Sequence, residues 1–96
     1  MPTLEELRKD IDRVDEVLVR LLNERARCAC EIGRIKKVQN VEIYQPDREK
    51  QVLDHVRSVA AEGPLEPDAI ARLFERIMDE ARRLERRVVH GELTEK

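Results

Sequence analysis

The sequence predicts an all-α domain built from one long helix and two shorter helices. Three observations indicate this class: apolar side chains recur at helical spacing, aromatic residues are scarce, and charged residues make up 42% of the chain. Leu, Ile, Val, Ala, Glu and Arg dominate such a composition, which is typical of long helices. Hydrophobic residues make up 41% of the chain, enough for a core, and we expect one domain over residues 1–96.

The first helix is predicted to run from about residue 4 to residue 38. Thr3 and Glu6 have the spacing of a capping box, in which two side chains satisfy each other's backbone N–H groups. A heptad pattern of mostly apolar residues follows, at Leu4, Leu7, Ile11, Val14, Leu18, Leu21, Cys28, Ile32 and Ile35. Such a pattern predicts a seam that packs against another helix. It is interrupted at one position, which Arg25 occupies.

Two shorter helices are predicted after a loop over residues 39–45. Pro46 suits the first position of a helix, and the second helix is expected over residues 46–62, before Gly63 and Pro64. The third is expected to begin at Pro67 and to end near residue 90. Its apolar side carries Ile70, Leu73, Phe74, Ile77, Ala81, Leu84 and Val88. The last few residues are predicted to be frayed.

The length of the first helix predicts the quaternary structure. About 35 helical residues span roughly 52 Å. A compact chain of this size is only about 32–34 Å across, judged from its expected radius of gyration. The helix would therefore project beyond its own subunit, and two shorter helices cannot cover its whole seam. We expect a homodimer built around paired long helices.

The charge pattern excludes several classes of function. The 19 basic and 21 acidic residues are spread along the chain, with a net charge of −2. There is no basic block or aromatic platform for nucleic acid, and no apolar run long enough for a membrane span. The acidic N-terminus does not resemble a signal peptide. We therefore expect a cytoplasmic protein without nucleic-acid or membrane partners.

The two cysteines are predicted to be small core residues in a reducing compartment. Cys28 and Cys30 lie two positions apart on a helix, so they point about 200° apart and cannot pair with each other. His55 and His90 are not spaced to complete a zinc site with them. We expect no metal site.

Arg25 shares its helix face with a second cation, Lys36. Eleven residues return to within about 20° of the same direction, so the two side chains face the same way about 16 Å apart. Ala29 and Gly33 lie between them and would form a shallow floor for an anionic small molecule. Alternatively, one or both cations extend to the surface or pair with a carboxylate of another helix.

Charged residues also lie at the ends of the other apolar faces. Arg48 and Glu49 precede the apolar face of the second helix by one turn, and Glu85 continues the apolar stripe of the third. Polar ends on three apolar faces predict one enclosed polar pocket between the helices.

Arg8 flanks the seam near the start of the first helix. It lies about 26 Å from Arg25 on a straight helix, too far to join it around one small ligand within a chain. In an antiparallel or crossed dimer, Arg8 of one subunit would reach the pocket of the other. This arrangement predicts two shared, composite sites.

These residues together resemble the all-helical chorismate mutases, over about residues 4–85. The motifs that carry the resemblance are Leu7-Arg8 with Ile11-Asp12, Leu21-Leu22-Asn23-Glu24-Arg25, Glu31-Ile32-Gly33-Arg34-Ile35-Lys36, Pro46-Asp47-Arg48-Glu49, and Leu73-Phe74 through Glu85. Each fragment alone is common in helices, whereas all of them in this order are specific. The resemblance implies an intertwined dimer that converts chorismate to prephenate, a step toward phenylalanine and tyrosine.

The resemblance also implies the roles of four cations. Arg25 and the partner's Arg8 would clamp the two carboxylates of chorismate. Lys36 would hold a carboxylate together with the ether oxygen of the breaking C–O bond. Arg48 would support the pocket.

The other implied site residues include departures from the usual family pattern. Glu49 would bind the ring hydroxyl, and Glu85 would donate a hydrogen bond to the ether oxygen. Gln45 stands where an Asp that helps with the hydroxyl is frequent, and Ala81 where a Ser can touch a carboxylate. Arg82 replaces a more usual apolar residue, and we expect it to point to solvent.

The implied reaction fits this set of residues. A Claisen rearrangement is unimolecular, so it requires no nucleophile, metal or cofactor, only positioning and stabilisation of charge on the ether oxygen. Two alternatives remain: an isochorismate-pyruvate lyase, and a dimeric helical scaffold in which Arg25 and Lys36 form structural salt bridges. The residues after the third helix are too few for a regulatory domain, so feedback control would require a separate partner enzyme.

Overall fold

The computed structural model describes residues 1–92 and contains three helices: α1 (Leu4–Gln39), α2 (Pro46–Ala60) and α3 (Pro67–Val89). The predicted all-α class is confirmed, and none of these helices is long and apolar enough to cross a membrane. α2 ends two residues before the predicted residue 62, because the N–H groups of residues 62 and 63 turn back to the carbonyls of residues 59 and 60. The predicted fraying concerns the last residues, which lie outside the described part.

Both ends of α1 are capped by its own sequence. The backbone N–H of Glu6 donates to Thr3 Oγ1 at 3.1 Å, and that of Thr3 donates to Glu6 Oε1 at 2.8 Å, which confirms the capping box. These bonds lower the pKa of the Glu6 carboxyl. At the other end Asn40 adopts a left-handed conformation, with φ 57°, and the N–H of Val41 donates to the carbonyl of Lys36. Asn tolerates this conformation, and the chain turns back toward α2.

α3 lies at the centre of the chain's packing. It contacts both α1 and α2, whereas no Cα atom of α1 lies within 8 Å of a Cα atom of α2. α1 and α2 therefore form the walls of a groove whose floor is α3. Along this groove, side chains of all three helices can meet around a small ligand.

α1 and α3 approach each other closely at Gly33. A Cβ atom built on Gly33 would lie 3.1 Å from the Cα atom of Glu85 and 3.3 Å from its carbonyl oxygen. A glycine inside a helix costs about 0.5–1 kcal/mol relative to alanine, so its presence here reflects the close contact. The backbone of Glu85 is thereby held directly against α1.

The core of a single chain is small. The buried apolar residues of the described part are Ala29, Ala71, Met78 and Val88, and no large side chain there is fully enclosed. The radius of gyration is 16.5 Å, against roughly 13 Å for a compact chain of this length. Every residue from 4 to 24 is exposed, including the apolar residues of the seam. A chain on its own thus leaves half of α1 uncovered.

Gly33→Ala tests the close contact between α1 and α3. We expect it to lower the free energy of unfolding by about 1 kcal/mol, because overpacking against backbone atoms outweighs the better helix propensity of alanine. Gly63→Ala is the control, since a Cβ there meets nothing within 4 Å and its φ is compatible with alanine. Urea unfolding at equal protein concentration measures both variants. A Gly33→Ala variant as stable as the wild type would contradict the contact.

Candidate active site

The groove between α1 and α2 forms a partly open pocket of about 460 Å³, rather than the enclosed one predicted. This volume is in the range typical of small-molecule sites. The pocket is lined by all predicted site residues other than Arg8: Arg25, Lys36, Gln45, Arg48, Glu49, Ala81 and Glu85. The structure therefore brings together residues from α1, the loop after it, α2 and α3. Their individual roles remain predictions.

α1 contributes the longest wall of the pocket. Arg25, Ala29, Ile32 and Lys36 all line it, as the helical spacing of four, seven and eleven residues predicts. Cys28 lines it as well and is exposed, so the prediction of a core position is wrong for this residue. The reason is that α1 contacts α3 through Ala29, and adjacent helical residues point about 100° apart.

Lys36 and Glu85 form an ion pair at the floor of the pocket. Lys36 Nζ lies 2.8 Å from Glu85 Oε1 and donates a second hydrogen bond to the carbonyl oxygen of Ile43 at 2.6 Å. The two side chains are only 13% and 10% exposed. An ammonium group has three donors, so one N–H of Lys36 remains for a ligand. The pair fixes this cation in the pocket before any ligand arrives.

Arg25 reaches the pocket without a carboxylate partner. Its guanidinium carbon lies 5.9 Å from the centroid of the Phe74 ring, a cation–π contact that supports the side chain without neutralising it. Within residues 1–92, neither Arg25 nor Arg48 forms an ion pair. The scaffold alternative assigns both Arg25 and Lys36 to structural salt bridges. Within the described residues Lys36 forms such a bridge and Arg25 does not. The pocket therefore holds positive charge available to an anion.

Arg82 also lines the pocket, and the expectation that it points to solvent is wrong. Its side chain is 20% exposed and donates from Nη1 to Glu49 Oε2, across from α3 to α2. This hydrogen bond raises the pKa of Arg82 above its usual range. The guanidinium also lies 5.5 Å from the centroid of the Tyr44 ring. Position 82 precedes Glu85 by three residues and so shares its helix face, a signal present in the sequence.

Gln45 and Ala81 occupy two positions where the sequence departs from the pattern that the resemblance implies. Gln45 is the N-cap residue of α2, and its side chain makes no capping hydrogen bond, which leaves the amide group available to the pocket. Ala81 is half-buried on α3 and adds no polar group to the lining.

Arg8 does not belong to the pocket of its own chain. It is exposed on the uncovered half of α1, about 26 Å along the helix axis from Arg25. Within residues 1–92 it forms no ion pair. Its position agrees with the expectation that it cannot join Arg25 within one chain.

Comparison with known proteins assigns the chain to a family. Residues 7–86 match the family described as chorismate mutase type II. The chain belongs to this family. The structure of a chorismate mutase (form II) from Thermus thermophilus superposes with a TM-score of 0.84 at 36% sequence identity, covering 88% of this chain and 94% of the other.

The related sequences include both stand-alone and bifunctional proteins. A chorismate mutase from Methanocaldococcus jannaschii is 28% identical over 83 residues, covering 86% of this chain and 84% of the relative. A bifunctional chorismate mutase/prephenate dehydratase from Aquifex aeolicus is 37% identical over 91 residues, which cover 92% of this chain and 25% of the relative. The chain thus spans about a quarter of the length of the bifunctional relatives it matches.

Lys36→Met tests the energetic role of the ion pair. We expect a loss of about 2 kcal/mol in the free energy of unfolding, because the buried carboxylate of Glu85 is left without its partner. The double variant Lys36→Met/Glu85→Met should recover most of this loss, since it removes both charges. Urea unfolding at one fixed protein concentration measures the variants. A double variant less stable than the single one would contradict this account.

Proposed function

We propose that this chain is a chorismate mutase, an isomerase that rearranges chorismate to prephenate. The observation that carries the proposal is the unpaired Arg25 in the same pocket as the Lys36–Glu85 pair. Membership of the chorismate mutase type II family and the similarity to the Thermus thermophilus structure support it.

The unpaired cations suit a substrate with two carboxylates. A guanidinium presents its donors in a planar fork that matches a carboxylate, so Arg25 would bind one of them bidentately. Arg48 adds a second unpaired cation on the opposite wall. Holding both carboxylates restrains the substrate in the chair-like conformation from which the rearrangement proceeds. The charge on the seam of α1 is then explained by an anionic ligand.

The Lys36–Glu85 pair would stabilise negative charge on the ether oxygen of the substrate. As the C–O bond opens, negative charge grows on this oxygen, and Lys36 has one N–H left to donate to it. Its other two bonds, to Glu85 and Ile43, hold the ammonium in place, so little reorganisation is needed during the reaction. Losing a preorganised donor of this kind costs about 3–4 kcal/mol of transition-state stabilisation.

Glu49 and Gln45 would accept a hydrogen bond from the ring hydroxyl of the substrate. Glu49 has one carboxylate oxygen bonded to Arg82, which leaves its second oxygen as an acceptor. Gln45 lies at the start of α2 beside it and lines the same pocket. This end of the pocket, the hydroxyl end, thus offers acceptor oxygens from Glu49 and Gln45.

We further propose that the active form is an intertwined homodimer with two shared sites. The exposed seam over residues 4–24 and the small core of one chain support a partner helix. The partner's Arg8 would then complete the carboxylate clamp. We place the enzyme in the cytoplasm, which the unpaired Cys28 and Cys30 favour.

We also propose that this chain works with a separate regulatory partner enzyme. The names of the bifunctional relatives join chorismate mutase to prephenate dehydratase, which supports a functional link between these two activities. In this account the product of the chain is passed to an enzyme of that class.

The direct test is to add chorismate to the purified protein and to follow its ultraviolet absorbance. We expect chorismate to disappear and prephenate to form without release of pyruvate, and without added metal or cofactor. Release of pyruvate from isochorismate, with chorismate untouched, would identify a lyase. An unchanged absorbance with both substrates would favour the scaffold.

Arg25→Ala should reduce kcat/KM by at least about a thousandfold while leaving the protein folded, because it removes a charge that pairs with substrate rather than a core contact. Arg27→Ala is the matched control, since Arg27 lies two residues away on the same helix and points about 200° from Arg25. Steady-state kinetics and circular dichroism compare the variants. Retention of most activity by Arg25→Ala would exclude the carboxylate clamp.

Glu85→Gln tests whether Glu85 is a hydrogen-bond donor. A carboxyl group donates only while it carries its proton, whereas a glutamine amide donates at every pH. If Glu85 is the donor, the activity of the wild type should fall toward alkaline pH and the activity of the variant should vary less, over about pH 5 to pH 9. Identical pH profiles would leave Lys36 as the main partner of the ether oxygen.

A further inference from the structure

Arg82 joins the three parts of the structure that meet at the hydroxyl end of the pocket. From α3 it donates to Glu49 on α2, it lies over the ring of Tyr44 in the preceding loop, and Nη2 lies 3.4 Å from Asp79 Oδ1 on its own helix. Arg82 and Glu49 are 20% and 23% exposed. The other ion pair between α2 and α3 in the described part, Arg57 with Asp68, is far more exposed.

The contact with Arg82 restricts how Glu49 can be oriented. A glutamate side chain has three rotatable bonds, and an unpaired one at the edge of a pocket would turn its carboxylate toward water. With Oε2 bonded to Arg82, the carboxylate stays on the pocket wall and Oε1 remains available. The cation–π contact between Arg82 and Tyr44 in turn limits the movement of the guanidinium.

We propose that Arg82 is a positioning residue, which holds Glu49 so that its free oxygen accepts the ring hydroxyl of the substrate. Arg82 thereby sets the preference of the site for a cyclohexadienyl dicarboxylate that carries this hydroxyl. The inference rests on the proposed function and adds a residue to it.

The geometry favours this role over direct binding of a substrate carboxylate. Two of the donors of Arg82 already have carboxylate partners, Glu49 and Asp79, and its guanidinium also makes a cation–π contact with Tyr44. Arg25 and Arg48, in contrast, line the same pocket without a carboxylate partner among residues 1–92. A second anion would therefore bind these cations before it displaced Glu49.

The test compares two substrates: chorismate and its analogue in which hydrogen replaces the ring hydroxyl. Arg82→Met should lower kcat/KM for chorismate about tenfold, the order expected for one charge-assisted hydrogen bond. For the deoxy analogue it should change kcat/KM less than about twofold, because the group that Glu49 binds is missing. Arg82→Lys should recover part of the loss with chorismate, since an ammonium can still pair with Glu49. Arg83→Met is the control, because Arg83 is exposed and does not line the pocket.

A second measurement separates positioning from the alternatives. The double variant Glu49→Gln/Arg82→Met should be no slower with chorismate than Glu49→Gln alone, because Arg82 acts through Glu49. Equal losses with both substrates, or additive losses in the double variant, would overturn the proposal in favour of direct binding or a purely structural role. Failure of the wild type to convert either substrate would instead refute the proposed function, and this inference with it.

Discussion

The length of α1 is the constraint on which the rest of the structure depends. A helix of 36 residues is longer than the body that the other two helices can form with it, so its first half has no neighbour within the described part of the chain. The apolar seam on that half would cost free energy if it stayed in water. The small core and the extended shape of the chain, 56 Å in its longest dimension, have the same origin. In the proposed homodimer, a second copy would cover this seam and bring the partner's Arg8 to the site.

The second half of α1 meets α3, and this contact brings the proposed site residues together. Gly33 allows the two helices to approach, and this contact places Glu85 opposite Lys36, where the two charges pair away from bulk water. Such a pair adds little net stability, because desolvation offsets much of the Coulomb attraction. Its value lies in holding an ammonium in a fixed place. Arg25, supported by the ring of Phe74, keeps its charge for a ligand.

The features predicted from the sequence are those that depend on local geometry. The N-cap at Thr3 and the prolines at positions 46 and 67 predict where the three helices begin. The common face of Arg25 and Lys36 follows from helical periodicity alone. What could not be predicted depends on how separate helices approach each other. The pairing of Arg82 with Glu49 requires the placement of α3 against α2, and the exposure of Cys28 depends on which stripe of α1 contacts α3.

Mixing two inactive variants tests most directly whether α1 builds a site shared between subunits. Arg8→Ala and Arg25→Ala proteins are mixed in equal amounts and allowed to exchange subunits, and chorismate turnover is measured. Mixed dimers would contain one intact site, so we expect about a quarter of wild-type activity after statistical exchange. A mixture of Arg25→Ala and Lys36→Ala proteins should recover no activity. In each site Arg25 and Lys36 come from the same subunit, so every site of a mixed dimer lacks one of them. No recovery in the first mixture, despite demonstrated exchange, would contradict the shared site.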